Sequence, residues 1–273
     1  MALYDPLNGV YRKVTKSYDP VEGTYRKVIK AYDDVNGVYR QYFSSGPTAG
    51  VLAVGDSVWL SVNGALREFL VVHQGNPDSN LYDESCNGTW LLSVYAYMED
   101  DHPFGLNTDG SHANNSYADS VAHKYLNGTF FESIGPTVKS AIKQVKIPYM
   151  KGAGPSKNYQ NGSNGLTARV FLLSNAEVGF PSSSPLGAKL DHFLLGIASG
   201  DMNNRRRCLY VGTTTACNWA TRSPSINSDL AYEFVNKSGA REEFSSTNSA
   251  VRPALIIDKD APIDQSTGKN IIE

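Results

Sequence analysis

Asn218-Trp-Ala-Thr-Arg-Ser-Pro224 and Ala250-Val-Arg-Pro-Ala-Leu-Ile-Ile257 enclose the stretch that decides how the rest of the chain is interpreted. The first segment ends in the turn residues Ser223-Pro224, and the second is a short apolar run typical of a β-strand. Pro253 fits best at an edge or a bulge, because proline cannot donate a hydrogen bond to a neighbouring strand. The residues between the segments mix small polar and aromatic side chains, as antibody-type binding loops do. An ordinary surface loop has a similar composition, so both interpretations remain open.

A set of residues in this stretch is the candidate ligand-contacting surface. Its aromatic members would supply rigid contacts and its polar members adaptable hydrogen bonds. We expect them to share one exposed face, supported from beneath by Arg222 and Arg252. Trp219 also fits a core position, because large aromatic residues in strands are usually buried. The full set is Asn218, Trp219, Ser225, Asn227, Asp229, Tyr232, Glu233, Asn236, Glu242, Phe244 and Asn248.

Composition and charge exclude two classes of protein. The chain carries 25 basic and 27 acidic residues, for a net charge of −2, which does not indicate a nucleic-acid-binding surface. No apolar run approaches the roughly 18–20 residues of a membrane span, and residues 1–5 lack the features of a signal peptide. We therefore expect synthesis in a cytoplasm, no nucleic-acid partner and no insertion into a membrane. A hydrophobic content of 41% is enough for a packed core.

The cysteines and acidic residues do not indicate a cofactor. Cys86, Cys208 and Cys217 show no Cys-x-x-Cys spacing, so we expect reduced thiols rather than a disulfide framework or a zinc site. An acidic segment hints at calcium, but it lacks the alternating oxygen ligands and terminal Glu of a calcium loop. No metal and no cofactor are predicted. The acidic residues are Glu99, Asp100, Asp101 and Asp109, and His102 and His112 beside them are interpreted as surface residues.

The N-terminal segment consists of three copies of a 14-residue repeat, which are Tyr4–Ser17, Tyr18–Ala31 and Tyr32–Ser45. Each copy joins a turn dipeptide, such as Asn36-Gly37, to a strand, which predicts a small β-hairpin. A meander with so little apolar surface is marginal alone. We therefore expect residues 1–48 to be ordered by contact with the next domain or with other chains, as an attachment or oligomerisation segment. A simple spacer is the alternative.

Strands, then helices, then strands again follow the repeats, which predicts an α+β domain over residues 49–260 and a C-terminal tail over 261–273. Asn63-Gly64 is expected to turn a hairpin. Apolar stripes predict a helix capped by Ser116 or Asp119 that ends at Asn127-Gly128, and a second helix from Pro136 to Val145. The expected strands are Ser57–Val62, Ala65–His73, Thr89–Met98, Arg169–Ser174 and Leu209–Gly212. The expected core residues are Trp90, Leu91, Leu92, Phe171, Leu172 and Leu173.

Ordered motifs over roughly residues 51–258 resemble a family of domains of unknown function from bacteria and their phages. These motifs are Asn76-Pro77, Tyr82–Ser85, Gly88–Leu92, Tyr125–Asn127, Lys146–Tyr149, Val170–Ser174, Glu177–Gly179, Thr221–Pro224 and Val251–Leu255. That family is similar to the C-type-lectin-like fold, in the branch shared with formylglycine-generating enzymes and with variable proteins of diversity-generating retroelements. The 14-residue repeats resemble those that precede this domain in phage-type proteins.

The resemblance implies a C-type-lectin-like scaffold that carries exchangeable side chains in its C-terminal part. Motifs such as Arg222-Ser-Pro224 would then be constant framework, and the target would be a protein or glycan of a cell surface. It also implies a virion or bacterial-surface location, contacts with other virion proteins through residues 1–48, and a homo-oligomer. Only the gene's nucleotides would show whether a retroelement diversifies residues 208–250.

Three functions from different classes follow. The first is a receptor-binding display protein, such as the tip of a phage tail, and the second is a purely structural component of a virion or cell wall. The third is an oxidoreductase of the formylglycine-generating type. That chemistry needs a closely spaced pair of reactive cysteines, whereas eight residues separate Cys208 from Cys217. Arg205–Arg207 could lower the pKa of a nearby thiol, but a solvated basic turn is the plainer interpretation. We therefore expect a binding protein and not an enzyme.

Overall fold

A computed structural model describes residues 46–100, 115–151, 158–181, 186–194, 199–225, 228, 231–244 and 249–272, and the backbone of six strands within residues 4–44. These six strands form antiparallel hairpins, which are β1 (Tyr4–Leu7) with β2 (Val10–Lys13), β3 (Ser17–Val21) with β4 (Thr24–Val28), and β5 (Lys30–Val35) with β6 (Val38–Ser44). Each repeat therefore contributes one hairpin. The turn dipeptides lie outside the described residues.

The rest of the described chain is mostly β-strand, with three short α-helices, and agrees with the expected α+β class. The helices are α1 (Val121–Tyr125), α2 (Pro136–Ala141) and α3 (Ser199–Arg206). The strands are β7 (Ser57–Val62), β8 (Ala65–Gly75), β9 (Gly88–Ser93), β10 (Tyr95–Asp100), β11 (Val145–Ile147), β12 (Tyr149–Met150), β13 (Tyr159–Gln160), β14 (Leu166–Ala168), β15 (Val170–Phe171), β16 (Cys208–Tyr210), β17 (Ala216–Cys217), β18 (Trp219–Pro224), β19 (Tyr232–Val235), β20 (Arg241–Phe244), β21 (Ser249–Val251), β22 (Ala254–Ile257) and β23 (Asn270–Ile272).

Two mixed sheets make up the body of the domain. One has the strand order β15-β22-β9-β8-β7-β23, and the other has the order β17-β16-β10-β21-β18-β19-β20. The predicted hairpin is present as β7 and β8, and both turn residues adopt positive φ, 52° at Asn63 and 70° at Gly64. Asparagine and glycine tolerate this conformation, which explains why the dipeptide identified the turn.

A single long antiparallel pair connects the two sheets. β9 pairs with β22 in the first sheet, and β10 pairs with β21 in the second. The chain therefore changes sheets at Val94 on one side and at Arg252-Pro253 on the other, and the Ser93 amide donates to the Pro253 carbonyl at 2.8 Å across this bend. Pro253 lies at a break between strands, where its missing N–H costs no ladder hydrogen bond.

The core surrounds β9, the strand that the sequence marks most clearly. Every residue of β9 is buried, because neighbouring strands and both faces of the sheet cover it, and such a strand appears in the sequence as a continuous apolar run. The prediction of core residues is confirmed: Trp90, Leu91, Leu92, Phe171, Leu172 and Leu173 are all 0% exposed.

The helices differ from their predicted bounds. Ser120, rather than Ser116 or Asp119, caps α1, since its hydroxyl accepts from the His123 amide at 3.0 Å. A π-helical turn over Leu126–Phe130 then carries the helix past Gly128. Asn127 does not end the helix because its side chain is engaged with the edge of β15, where it accepts from the Arg169 amide and donates to the Val170 carbonyl.

The second helix also ends earlier than expected. Pro136 occupies its first turn as predicted, but α2 stops at Ala141. Val145, predicted to be the last residue of this helix, instead begins β11 and pairs with Ala168 of β14. A buried apolar residue at a helical spacing fits either element, and here the pairing partner on β14 decides the outcome.

Residues 261–272 are part of the domain and do not form a separate tail. β23 pairs in parallel with β7, and Ile272 is 1% exposed. The start of the domain meets this region as well, because the Ala49 amide donates to the Ala261 carbonyl at 2.9 Å. The two ends of the domain therefore lie together. Among the described residues, no helix combines the length and apolar character needed to cross a membrane.

Candidate functional site

The candidate site lies at the outer end of the second sheet, where β18, β19 and β20 follow one another. β19 and β20 form a hairpin in which Val235 pairs with Arg241. Asn236 shapes the turn, because its side-chain oxygen accepts from the amides of Ser238 and Ala240 at 2.9 and 3.0 Å. This local bonding is the usual role of asparagine in turns.

Gly239 is required at this turn for two reasons. Its φ of 86° lies in the left-handed region, and a Cβ there would collide with the Asn203 carbonyl on α3. The hairpin turn therefore packs directly against α3, which fixes its position relative to the body of the domain.

Three of the predicted ligand-contacting residues meet at this turn. The Asn218 side-chain oxygen accepts from the Lys237 amide at 2.9 Å, and the Asn236 amide donates to the Glu242 carboxylate. Glu242 is exposed, and Asn218 and Asn236 are partly exposed. We call this group of three residues, Asn218, Asn236 and Glu242, the hairpin surface. It is the part of the predicted display face that the structure brings together.

The expected exposure is wrong for Trp219, Ser225 and Tyr232, which are 0%, 0% and 1% exposed. β18 lies between β21 and β19, and every one of its residues is buried. The alternative interpretation of Trp219 as a core residue is confirmed. Its indole N–H donates to the Arg206 carbonyl at the end of α3, at 2.9 Å.

Of four further predicted ligand-contacting residues, only Phe244 has a described backbone position. Phe244 lies on β20 opposite Tyr232. Asn227, Asp229 and Asn248 lie outside the described residues. Ser223-Pro224, expected to be a turn, forms the end of β18 instead, and β18 and β19 shift register before Pro224.

Glu233 is a largely buried carboxylate behind the exposed hairpin, at 9% exposure. It accepts from the Asn175 amide and lies 3.6 Å from the Arg241 guanidinium, while Glu243 lies directly opposite on β20. Burial raises the pKa of Glu233, and the Glu243 charge adds to this, although Arg241 and Asn175 act in the opposite direction. Among the described residues, the Asn175 side-chain oxygen has no hydrogen-bond partner. Arg241 and Asn175 therefore offset only part of the cost of burying the Glu233 carboxylate.

A buried ion pair supports β18 from beneath. Arg222 and Glu177 are both 0% exposed, and two N–O distances of 2.5 Å join them. The guanidinium also donates to the carbonyls of Pro148, Leu172 and Leu186. Burial alone would lower the pKa of Arg222, but the Glu177 charge and hydrogen bonds raise it. A bidentate pair with further bonds to fixed backbone positions holds β18 rigidly.

Arg252 is also buried and lies at the bend between the sheets. It donates to the Ser93 carbonyl at 2.8 Å and to the Arg206 carbonyl at 3.1 Å, and its guanidinium lies 5.1 Å from the Trp219 ring centroid. In the part of the chain that the structure describes, no carboxylate lies within ion-pair distance of it. Both arginines are buried, Arg222 at 0% and Arg252 at 2% exposure.

Sequence reasoning missed one juxtaposition. Cys208 on β16 lies directly opposite Cys217 on β17, although eight residues separate them along the chain. The turn between the two strands brings them together, and the hairpin could have been inferred from the Gly212-containing segment between two short apolar runs.

A metal site receives no support from the described positions. No three His, Cys, Asp or Glu side chains there converge in a way that could hold a metal ion. Of the acidic residues that hinted at calcium, Glu99 and Asp100 end β10, and Asp101 and Asp109 lie outside the described residues.

A sequence-family model described as "Domain of unknown function (DUF6273)" matches residues 87–259, well over half of the 273-residue chain. The chain belongs to this family. The DUF6273 region starts immediately before β9 and ends just after β22, so it contains the bent strand pair, Arg222, Arg252 and the hairpin surface. It excludes the repeats, the β7–β8 hairpin and β23, so it begins later than the resemblance over residues 51–258 suggested. Comparisons with curated proteins and with solved structures gave no match.

Proposed function

We propose that this DUF6273 protein is a ligand-binding display protein that recognises a cell-surface target, from the tip of a phage tail or as a prophage-encoded variable protein. One observation carries the proposal. The hairpin surface presents amide and carboxylate groups at the outer end of a sheet whose next strand, β18, is anchored by the Arg222–Glu177 pair. Exposed polar groups on a rigid scaffold are typical of recognition sites.

The chemistry of the hairpin surface suits a polar target such as a glycan or a protein. Asn218 and Asn236 combine donors and acceptors, and Glu242 adds an anionic acceptor. Their bonds to the turn backbone and to one another reduce the side-chain freedom that binding would otherwise remove. The resemblance to a C-type-lectin-like scaffold and to retroelement variable proteins supports the same proposal, because those scaffolds present exchangeable side chains in the corresponding C-terminal segment.

Binding of intact bacterial cells and of a glycan array by the full-length protein tests the proposal. Asn218→Ala and Glu242→Ala should each weaken binding about tenfold or more if these residues are central contacts. Glu132→Ala is the matched control, because Glu132 is another exposed glutamate and lies on a helix outside the hairpin. Each of the three variants should lose no more than about 1 kcal/mol of unfolding free energy, because each side chain lies at least partly exposed.

Two outcomes would reject the proposal. The first is unchanged binding by both hairpin variants while substitutions on another face abolish it. The second is no binding by the wild-type chain to any cell or glycan, which would favour the purely structural virion or wall component.

The repeats supply the attachment part of the proposal. Three hairpins over residues 4–44 would join the display domain to other virion proteins or to copies of the same chain, and several linked domains would bind with higher avidity. Light scattering of the full-length chain and of a chain that starts at Gly50 tests this. Only the full-length chain should be oligomeric. If both are monomers of equal thermal stability, the repeats are a spacer.

An oxidoreductase of the formylglycine-generating type is the other candidate, and the apposition of Cys208 and Cys217 favours it. The two thiols are 2% and 7% exposed, so a peptide substrate would reach the sulfurs only when the edge of the sheet opens locally. Incubation with a cysteine-containing peptide, followed by mass spectrometry for its oxidation, distinguishes this activity from binding alone.

A further inference from the structure

The two cysteines at the edge of the second sheet are placed for a covalent bond. β17 is the outermost strand, and Cys217 is the residue directly opposite Cys208 on β16. Directly opposite residues on antiparallel strands have Cα atoms about 4.5–5.5 Å apart and side chains on the same face. This separation lies within the roughly 4.4–6.8 Å that a disulfide spans. The strand pairing therefore places the two Cα atoms within the range that a disulfide spans.

The surroundings favour an ionised sulfur at Cys208. Arg252, which has no carboxylate partner among the described residues, places its positive charge near both thiols. Burial raises the pKa of Cys208, but the hydrogen bond from Cys217, the Arg252 charge and backbone hydrogen bonds outweigh it, so the pKa is lowered from 9.0. A thiolate is the nucleophile of thiol–disulfide exchange.

Cys86 provides an internal contrast. It is also fully buried, but burial raises its pKa to about 12, and the negative charge of Glu177 adds to this. Its thiol donates to the Lys146 carbonyl at 3.3 Å. A thiol in this environment is a poor nucleophile. Burial by itself therefore does not determine the chemistry of the cysteines in this chain.

We propose that Cys208 and Cys217 form a dithiol site that low-molecular-weight disulfides of the glutathione class oxidise reversibly to a disulfide. The Cys208 thiolate attacks one sulfur of the small disulfide, and the released thiolate takes up the proton that Cys208 lost. The Cys217 sulfur then attacks Cys208 in the mixed disulfide and expels the second thiolate, which takes up the Cys217 proton. The protein loses two electrons and two protons, and the small disulfide becomes two thiols.

Access to the site comes from the edge of the sheet. β17 has only two residues, and residues 212–215 of the connecting turn are exposed. Short edge hairpins open locally at low cost, which admits a small disulfide but not a folded substrate. The crosslink would fix the hairpin immediately before Trp219, the first residue of β18. This chemistry does not depend on which ligand the hairpin surface binds.

Equilibration of the full-length protein in buffers of reduced and oxidised glutathione tests the proposal. After acid quenching, remaining thiols are alkylated under denaturing conditions and counted by intact mass, and the crosslink is located by peptide mapping. We expect the count to fall from the three thiols of the chain to one in a single step, with Cys86 alkylated and Cys208 linked to Cys217. Returning the protein to reduced glutathione should restore all three.

Two variants sharpen the result. Cys86→Ser should keep the crosslink, and Cys217→Ser should instead accumulate a glutathione adduct on Cys208, because the resolving thiol is gone. The proposal is overturned if wild-type protein keeps three alkylated thiols at the oxidising end, if it forms only glutathione adducts, or if Cys86 enters the crosslink. The wild-type measurement decides the question even if a variant fails to fold.

Discussion

Arg222 and Arg252 are both buried, at 0% and 2% exposure, but their charges are balanced in different ways. Arg222 forms a bidentate pair with the buried Glu177 carboxylate. Arg252 instead donates to two backbone carbonyls and lies near the Trp219 ring and two thiols. Burial disfavours both charges. The Glu177 charge and hydrogen bonds outweigh burial at Arg222 and raise its pKa, whereas Cys208 and Cys217 offset burial only in part at Arg252, whose pKa is lowered.

The two arginines also connect different parts of the fold. Arg222 ties β18 to three carbonyls from other segments, so the pair works as a rigid support for the hairpin surface. Arg252 lies where two strands change sheets, and it satisfies the Ser93 carbonyl at that bend. One of its acceptors, the Arg206 carbonyl, lies at the C-terminus of α3, where the helix dipole places partial negative charge. The two arginines occur in similar short motifs, Arg222-Ser-Pro224 and Arg252-Pro253, but they have different structural roles.

The largest effect is expected from Arg222→Met. The substitution leaves the Glu177 carboxylate buried without its cation, which costs about 3–5 kcal/mol of unfolding free energy. Denaturant unfolding measures the change. Breaking the exposed Lys139–Glu132 pair, joined at 2.6 Å, with Glu132→Ala is the control and should cost about 0–1 kcal/mol. Equal costs for the two variants would show that the buried pair contributes no more than a surface pair.

Leu172→Ala tests the apolar shell around the same pair. Leu172 is 0% exposed and its carbonyl accepts from Arg222, so the substitution keeps the hydrogen bond and removes only packing. We expect a loss of about 2–5 kcal/mol in denaturant unfolding. Leu66, at 40% exposure, provides the matched leucine, and Leu66→Ala should change the free energy by less than about half a kcal/mol. A similarly small change for Leu172→Ala would contradict its core position.

Arg252→Met should cost less than Arg222→Met. It leaves the Ser93 carbonyl without this donor, which costs about 1–3 kcal/mol, but it also removes a buried charge that no carboxylate balances. The Arg206 carbonyl keeps the Trp219 indole as a donor. Parallel denaturant titrations of the two methionine variants measure the difference. If Arg252→Met proves the more destabilising, the distinction between the two arginines is wrong.

The sequence predicted local features well and long-range ones poorly. Asn63-Gly64 and the apolar run around Trp90 identified a hairpin and a central strand, because turn chemistry and two-sided burial leave a local signal. The change of sheets at Val94 and Arg252-Pro253 depends on pairing between segments more than 150 residues apart. Nothing in either segment alone specifies that register.

The candidate site shows the same limit. The polar composition favours exposure of Ser225, yet Ser225 is 0% exposed and its hydroxyl donates to the Glu243 carboxylate inside the domain. Composition records that a side chain can form hydrogen bonds but not whether its partner is water or protein. Asn218, Asn236 and Glu242 keep part of their surface exposed because they lie at a turn, which a sheet cannot cover on all sides.

Glu233→Gln is expected to have the smallest effect, and it extends the comparison from arginines to carboxylates. Burial raises the pKa of Glu233 above 4.5, whereas Glu177 has a full cationic partner. Below pH 4.5 Glu233 is mostly protonated in both the folded and the unfolded chain. Folding then buries a neutral carboxyl group, so the stability that depends on its protonation is fully present. As the pH rises through the folded pKa, the folded chain must hold an ionised, partly compensated carboxylate and loses stability.

Glutamine can still accept from Asn175 but does not titrate, so the unfolding free energy of the variant relative to wild type should increase from about pH 4 to about pH 7. His192, whose pKa burial lowers to about 4, titrates in both proteins and cancels in this difference. Denaturant unfolding across this range measures it, and a difference that stays constant, or that decreases with pH, would mean that Arg241 and Asn175 fully compensate Glu233.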